Sequence, residues 1–292
     1  MITYPNAKIN LGLNVTERRS DGYHNLETAF YPIPLCDALQ VETDTDKGGI
    51  FGPTVFPEGC EVHTHEADCY TLHTSGIGID CPAEKNLVIK TLRNLRQDFT
   101  LPYLHIYMYK RIPSGAGLGG GSSDAAFMMK LLNEQFSLGL TEEEMEARIA
   151  PSGADCAFFI RNRPTLATGI GNVFTPINLS LAGRYLVVVK PDVFVSTKEA
   201  YAQIKPHRQE TPVEALITRP VETWRDTLVN DFEAGIFALH PEIAAIKERL
   251  YRLGADYAAM SGSGSAVFGL FRALPPSCGE LFPECFCRQY TL

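Results

Sequence analysis

Apolar residues recur along this chain at two spacings, and the switches between them mark out the elements. From Ala7 to Val15, the residues Ile9, Leu11, Leu13 and Val15 fall at every second position, which predicts a strand with one buried face. On that period Lys8 and Asn10 share the opposite side. Tyr103 to Tyr109 alternates in the same way, with Leu104, Ile106 and Met108 on one face. Between these strands, Val88, Leu92, Leu95 and Phe99 are spaced to line one side of a helix. A second helix is predicted to follow Ser122 to Asp124 and run through Ala125, Ala126, Met129 and Leu132. Thr141 followed by Glu144 is a capping-box signature, so a third is predicted over 142–149. Tyr185 to Val189 and Ser265 to Phe271 read as buried strands. Pro241 opens a helix whose apolar face is Ile243, Ile246, Leu250 and Leu253.

Strands and helices mix here without regular β–α–β alternation, which points to an α+β fold. The run Arg161-Asn-Arg-Pro164 interrupts the pattern and places a domain border near residue 160, giving 1–160 and 161–292. Composition narrows the function classes. The chain has 292 residues, 45% apolar and 21% charged, enough for a sizeable core. A net charge of −8 argues against nucleic acid or an anionic membrane as partner. No continuous apolar run reaches the ~18 residues of a membrane span. The first residues lack the basic and continuous apolar regions of a secretory signal, so a cytoplasmic location is expected. Eight scattered cysteines then read as reduced thiols rather than as staples.

The densest chemical signal is Pro113-Ser-Gly-Ala-Gly-Leu-Gly-Gly-Gly-Ser-Ser-Asp-Ala-Ala126, where five of the seven residues 115–121 are glycine. It sits between a predicted strand and a predicted helix. Glycine permits positive φ and lets backbone approach a ligand closely. Successive N–H groups then converge, and the following helix adds its positive end, a combination suited to a di- or triphosphate. The candidate phosphate-binding residues are therefore Pro113, Gly115, Gly117, Leu118 and Gly119, followed by Gly120, Gly121, Ser122 and Ser123; the resemblance described next would make them ATP ligands. Either serine supplies a hydroxyl donor or caps the helix. No Gly-Lys-Ser/Thr follows, so this is not a Walker A loop. The spacing also differs from that of a dinucleotide-binding turn.

Pro113 to Ala126 resembles the phosphate-binding motif of the GHMP kinase superfamily. Pro5-Asn-Ala-Lys-Ile-Asn-Leu-Gly-Leu13 resembles its N-terminal motif, and Met260-Ser-Gly-Ser-Gly-Ser-Ala-Val-Phe268 its C-terminal glycine motif. The resemblance implies a two-domain GHMP kinase fold with an active-site cleft between the domains, ATP as co-substrate and Mg2+. Arg19-Ser-Asp-Gly-Tyr-His-Asn-Leu-Glu-Thr28, Ser152-Gly-Ala-Asp-Cys-Ala-Phe158 and Asn230-Asp-Phe-Glu233 are more selective. They resemble the diphosphocytidyl-methylerythritol kinase branch, which implies phosphorylation of a 2-hydroxyl on a cytidine diphosphate small molecule. The alternative is a GHMP kinase of the mevalonate or homoserine type, which would lack the Asp-Gly-Tyr-His segment. A non-catalytic module on the same scaffold would need Lys8 or Asp155 absent or misplaced. The protein is expected to act as a monomer or weak homodimer.

Phosphoryl transfer needs a phosphate cradle, charge neutralisation and a group to orient or deprotonate the hydroxyl. Asp155, in a small-residue loop after a helix, is the candidate proton acceptor, or else it caps its own loop. Lys8 and Asn10, side by side on one strand face, suit an acceptor hydroxyl and the transferred phosphoryl group, unless that face is simply solvated. The resemblance implies that Lys8 pairs with Asp155 and keeps it ionised. It also implies that Tyr23 stacks on cytosine and His24 reads its polar edge, where the residues alone describe an ordinary turn-to-strand junction. Thr197 and Tyr201 are the matching threonine and second aromatic face. Asn86 either lies near adenine, as the resemblance implies, or caps the helix that follows it. Lys110 either neutralises phosphate charge or ends its strand in solvent. Ser261 to Gly264 form a second glycine turn, which is also a common hairpin connection.

One segment falls outside these motifs. Residues 60–73 hold Cys60, His63, His65, Cys69 and His73, and read as a histidine-rich surface hairpin or a zinc site, with spacing that matches no familiar zinc motif. The Cys285-Phe-Cys287 pair carries the same two readings. Metal ligands for magnesium are not assignable from the sequence.

Overall fold

The computed structural model describes residues 1–44, 55–78 and 81–292. Its contacts divide the chain into two compact units that are not contiguous in sequence. The first comprises Met1–Ala7, Leu35–Ser114 and Gly119–Asn162, and the second Lys8–Pro34, Gly115–Leu118 and Arg163–Leu292. One chain crossing, after Asn162, lies beside the border expected near 160. The N-terminal strand pair and four residues of the glycine loop group with the second unit, because their hydrogen bonds are made there.

In the first unit, β1 (Ile2–Thr3), β4 (Ala38–Thr43), β7 (Leu104–Lys110), β6 (Tyr70–Gly76) and β5 (His63–Ala67) form one sheet in that order. All its pairings are antiparallel except β6 with β7. That parallel pair requires a crossover, and α1 (Leu87–Leu95) supplies it. Val88, Leu92 and Leu95 are buried as their spacing predicts, whereas Phe99 lies past the helix end in the following turn. α1 packs on α2 (Gly120–Gln135), which starts two residues before Ser122 and so takes both serines into its first turns. α3 (Glu142–Ile149) begins with the predicted capping box, both halves formed. α4 (Phe158–Arg161) closes the unit. The histidine-rich segment is the β5–β6 hairpin, and His73 stacks on Tyr107 of β7 with centroids 4.6 Å apart.

The second unit holds two four-stranded sheets. One runs β2 (Asn6–Arg18), β3 (His24–Cys36), β8 (Thr165–Thr168), β9 (Val173–Pro176). The other runs β11 (Tyr257–Met260), β12 (Val267–Phe271), β10 (Tyr185–Lys190), β13 (Phe286–Thr291), so the stretch after Phe271 returns as an edge strand. Its helices are α5 (Thr197–Ala202), α6 (Val213–Ile217), α7 (Phe232–Leu239), α8 (Pro241–Arg252) and α9 (Cys278–Leu281). Leu13, Val187, Val189, Ile236, Ile243, Ile246, Leu250 and Val267 share its core. β2 departs from the expectation of a single buried face. Every residue from Ala7 to Val15 is buried, Lys8, Asn10 and Asn14 included. The polar face is covered because Asn10 bonds Thr28 of the neighbouring strand, 3.0 Å away, and Lys8 lies over the Phe30 ring.

All eight cysteines are free thiols. Among the described residues, no helix is long and apolar enough to cross a membrane.

Leu250 is fully buried on the face of α8 that covers β12. Leu250→Ala removes that packing and is expected to lower unfolding free energy by about 2–5 kcal/mol in a denaturant titration.

Candidate active site

The glycine loop leaves the first unit at Ser114 and returns at Gly119. In the first unit the ends of the loop are fixed by charge. Lys110, the last residue of β7, places its ammonium against both Asp37 and Asp124. Asp37 also accepts the N–H groups of Arg111 and Ile112. One lysine thus joins the strand end before the loop to the helix after it. This corrects the expectation that Lys110 neutralises phosphate, since its buried ammonium lies between two carboxylates. Burial alone would depress the lysine, but Asp124 and Asp37 outweigh it and hold its pKa above the ordinary value. Burial pushes Asp124 up to about 7 against the pull of Lys110, with Asp37 adding to the rise.

At the start of α2, Gly119 takes a left-handed φ of 73° as N-cap. No side chain caps the helix, so the first-turn N–H groups lack side-chain acceptors and the end is open to an anion. Ser123 donates its backbone N–H to Gly119, and its hydroxyl is buried without a hydrogen-bond partner. The loop of Asp155 packs on the first turn of α2: a Cβ on Gly153 would lie 3.3 Å from the Cys156 sulfur and 3.7 Å from Ser122 Oγ. Lys130, further along α2, holds the same segment through the Phe159 and Ile160 carbonyls, both at 3.3 Å. Asp155 itself is half-buried.

In the second unit, the loop tip rests on the C-terminal glycine turn. Ser261 Oγ donates to the Gly117 carbonyl at 2.9 Å and accepts the Asn10 N–H at 3.3 Å. The Ala266 N–H donates to Ala116 at 3.2 Å. Gly117 has φ 73°, and a Cβ there would fall 1.8 Å from the Ser261 carbonyl oxygen, so no other residue fits. Asn10 in turn orients Lys8, whose Nζ donates to Asn10 Oδ1 at 2.6 Å. Sequence reasoning gave no role to the residues that hold this turn. Asn230 Nδ2 donates to Met260 and Gly262 carbonyls, each at 2.8 Å, and Glu233 Oε1 accepts the Met260 N–H at 2.8 Å. Glu233 is paired with Lys247 at 2.6 Å. The motif Asn230-Asp-Phe-Glu233 was the only sequence signal for them.

The Arg19–Tyr23 segment is a tight turn between β2 and β3, in which Asp21 accepts the Tyr23 N–H and pairs with Arg19 at 2.8 Å. Tyr23 is 61% exposed, a free aromatic face. Burial, and to a lesser degree the charge of Arg18, lowers the His24 pKa, so the ring is neutral at pH 7 and offers one donor and one acceptor. Tyr201, the expected second aromatic face, stacks on His24 with ring centroids 4.9 Å apart and meets Phe232 edge-on. Thr197 is exposed at the start of α5, which Ser196 caps through the Glu199 N–H. Asn86 is the N-cap of α1, accepting the Val88 N–H at 2.9 Å.

The family model of the GHMP kinases N terminal domain matches residues 86–163, and that of the GHMP kinases C terminal matches 213–276. A 4-diphosphocytidyl-2-C-methyl-D-erythritol kinase of Bacteroides fragilis is 54% identical over 292 residues, covering 100% of both chains. One from Porphyromonas gingivalis is 49% identical and covers 99% of this chain and 98% of its own. The chain belongs to the 4-diphosphocytidyl-2-C-methyl-D-erythritol kinases of the GHMP family. A crystal structure of such a kinase superposes with a TM-score of 0.77 at 31% identity, covering 99% of this chain and 98% of that one. The mevalonate kinase of Methanococcus jannaschii reaches a TM-score of 0.66 at 15% identity over 99% and 97% of the two chains, a likeness of fold alone.

The kinase carries a pH signature in its loop anchor. Asp124 has an ordinary value of 3.8 and a folded value of about 7, so between these pH values the folded state keeps a proton that the unfolded state releases. This group's contribution to stability is therefore full below about 4 and is lost as pH rises through about 7. Urea titrations from pH 4 to 8 should show wild type losing stability relative to Asp124→Asn across that window. Parallel curves would overturn the assignment.

Proposed function

We propose that the protein transfers the γ-phosphoryl group of ATP to the 2-hydroxyl of 4-diphosphocytidyl-2-C-methyl-D-erythritol, giving the 2-phosphate and ADP, in non-mevalonate isoprenoid precursor synthesis. The observation that carries the chemistry is the close approach of Gly153 to Ser122, which sets the Asp155 loop beside the N-terminus of α2. An anionic tail held by that N-terminus lies near a carboxylate able to take a proton. The choice of a cytidine substrate is supported by the neutral His24 beside exposed Tyr23, and by the names of full-length relatives.

Asp155 accepts the hydroxyl proton as the alcohol oxygen bonds to the γ-phosphorus. The bond from that phosphorus to the β-bridging oxygen breaks, and its electron pair leaves with ADP. Lys8, held by Asn10 and buried over Phe30, offers a fixed positive charge to the phosphoryl oxygens in transfer. The loop amides from Gly115 to Gly121 cradle the departing phosphates, and Tyr23 and His24 fix the base, with Thr197 at the edge of the same region. Asn86 keeps its capping bond and lies near adenine.

Mg2+, arriving with ATP, supplies neutralisation of the β- and γ-phosphate charge. The chain fits it modestly. Ser123 Oγ is a buried oxygen with no hydrogen-bond partner in the first turn of α2, and among the described residues no cluster of three His, Cys, Asp or Glu is preset for a metal. Such a donor set suits an ion held mainly by substrate phosphates and water.

A coupled ADP-release assay with the cytidine diphosphate substrate, mevalonate and homoserine tests the substrate assignment, and activity on the first alone is expected. Asp155→Asn should lower kcat by about 10²–10⁴-fold while leaving the ATP dissociation constant within about threefold. Near-wild-type turnover in that variant would refute the role.

A further inference from the structure

Phe194 has no part in the chemistry above, yet it touches the phosphate loop. Its side chain is 70% exposed, although its neighbours are fixed. The Val193 carbonyl accepts the Ser265 hydroxyl, and Val195 is buried in the core of the second unit. The backbone is therefore anchored on both sides of an outward-facing aromatic ring. That ring lies on Gly115, where a Cβ would fall 2.6 Å from Phe194 Cε2 and 2.9 Å from Cδ2. Gly115, at φ 60°, is the residue that admits so close a ring. The same segment continues through α5 to Tyr201, which stacks on His24.

Residues 194–201 thus join the first glycine of the phosphate loop to Tyr201, whose ring stacks on the His24 assigned to the cytosine, all within one compact unit. A substrate with its base at His24 and its alcohol at the phosphate loop follows this segment, and Phe194 stands at the alcohol end. The acceptor carbon bears a methyl group beside the reacting hydroxyl, and that methyl is the apolar feature nearest the chemistry. We propose that Phe194 is a specificity-determining residue whose exposed ring packs against the branch methyl of the acceptor. This rests on the substrate reading given under Proposed function.

The test compares kcat/KM for 4-diphosphocytidyl-2-C-methyl-D-erythritol with that for the analogue lacking the branch methyl, in wild type, Phe194→Ala and Phe194→Leu. One methyl in an apolar contact is worth about tenfold or more. Wild type should favour the methylated substrate by that factor, Phe194→Ala should reduce the preference to about twofold or less, and Phe194→Leu should restore part of it. The KM for ATP should stay within about twofold throughout, and the exposed position should leave the melting temperature unchanged. An undiminished preference in Phe194→Ala, no preference in wild type, or a raised KM for ATP with the preference intact would overturn the proposal. Wild-type inactivity on both cytidine compounds would instead remove the substrate reading on which it rests.

Discussion

The arrangement depends on a backbone-to-backbone approach that a single methyl group would prevent. Gly117 is pressed against the Ser261 carbonyl, and the Ser261 hydroxyl reaches both the Gly117 carbonyl and the Asn10 amide. That hydroxyl ties the tip of the phosphate loop to the strand that carries Lys8. Behind it, Asn230 and Glu233 take up the polar groups of Met260 and Gly262, so the turn has no freedom to slide. Glycine's conformational freedom, ordinarily a cost to folding, is here removed residue by residue through side chains that reach in from elsewhere. A loop held in this way keeps its backbone fixed before any ligand arrives, which is the condition for electrostatic stabilisation without reorganisation.

Much of this was legible in the sequence wherever the interacting residues are neighbours in it. The Thr141–Glu144 box, the alternation of β7, the Pro241 helix start and the shared face of Lys8 and Asn10 each follow from spacings of two to four residues. What was not legible joins distant positions. Ser261 meets Gly117 across 144 residues, and Lys110 meets Asp37 across 73. No periodicity encodes such a pairing, so Lys110 read as a phosphate ligand on the strength of its place beside the loop. Tyr201 shows the same limit, since its stacking on His24 depends on how the β2–β3 turn presents that ring.

β2 shows how a functional strand can mislead a pattern argument. Alternation predicts one wet face, because polar side chains on a strand usually face solvent. Here the polar face is buried as fully as the apolar one, with Lys8, Asn10 and Asn14 all under 5% exposed. Burying a lysine is tolerable only with partners, and Asn10 and the face of Phe30 provide them. The local rule fails at the strand where a buried charge is held still by its neighbours.

The same trade governs the loop anchor. Two carboxylates sharing one buried ammonium are a poor way to gain stability, since removing three ions from water costs several kcal/mol each and a packed apolar cluster would cost less. What the triad provides that an apolar cluster does not is direction. Asp37 can grip two consecutive amides at Arg111 and Ile112 only because it is an acceptor, and Lys110 can bridge it to Asp124 only because it carries several donors. The rise of Asp124 to about 7 is the thermodynamic trace of that choice. Near neutral pH the group lies between holding a proton and holding its charge. Stability given up at the two ends of the loop is the counterpart of amides that keep their aim between them.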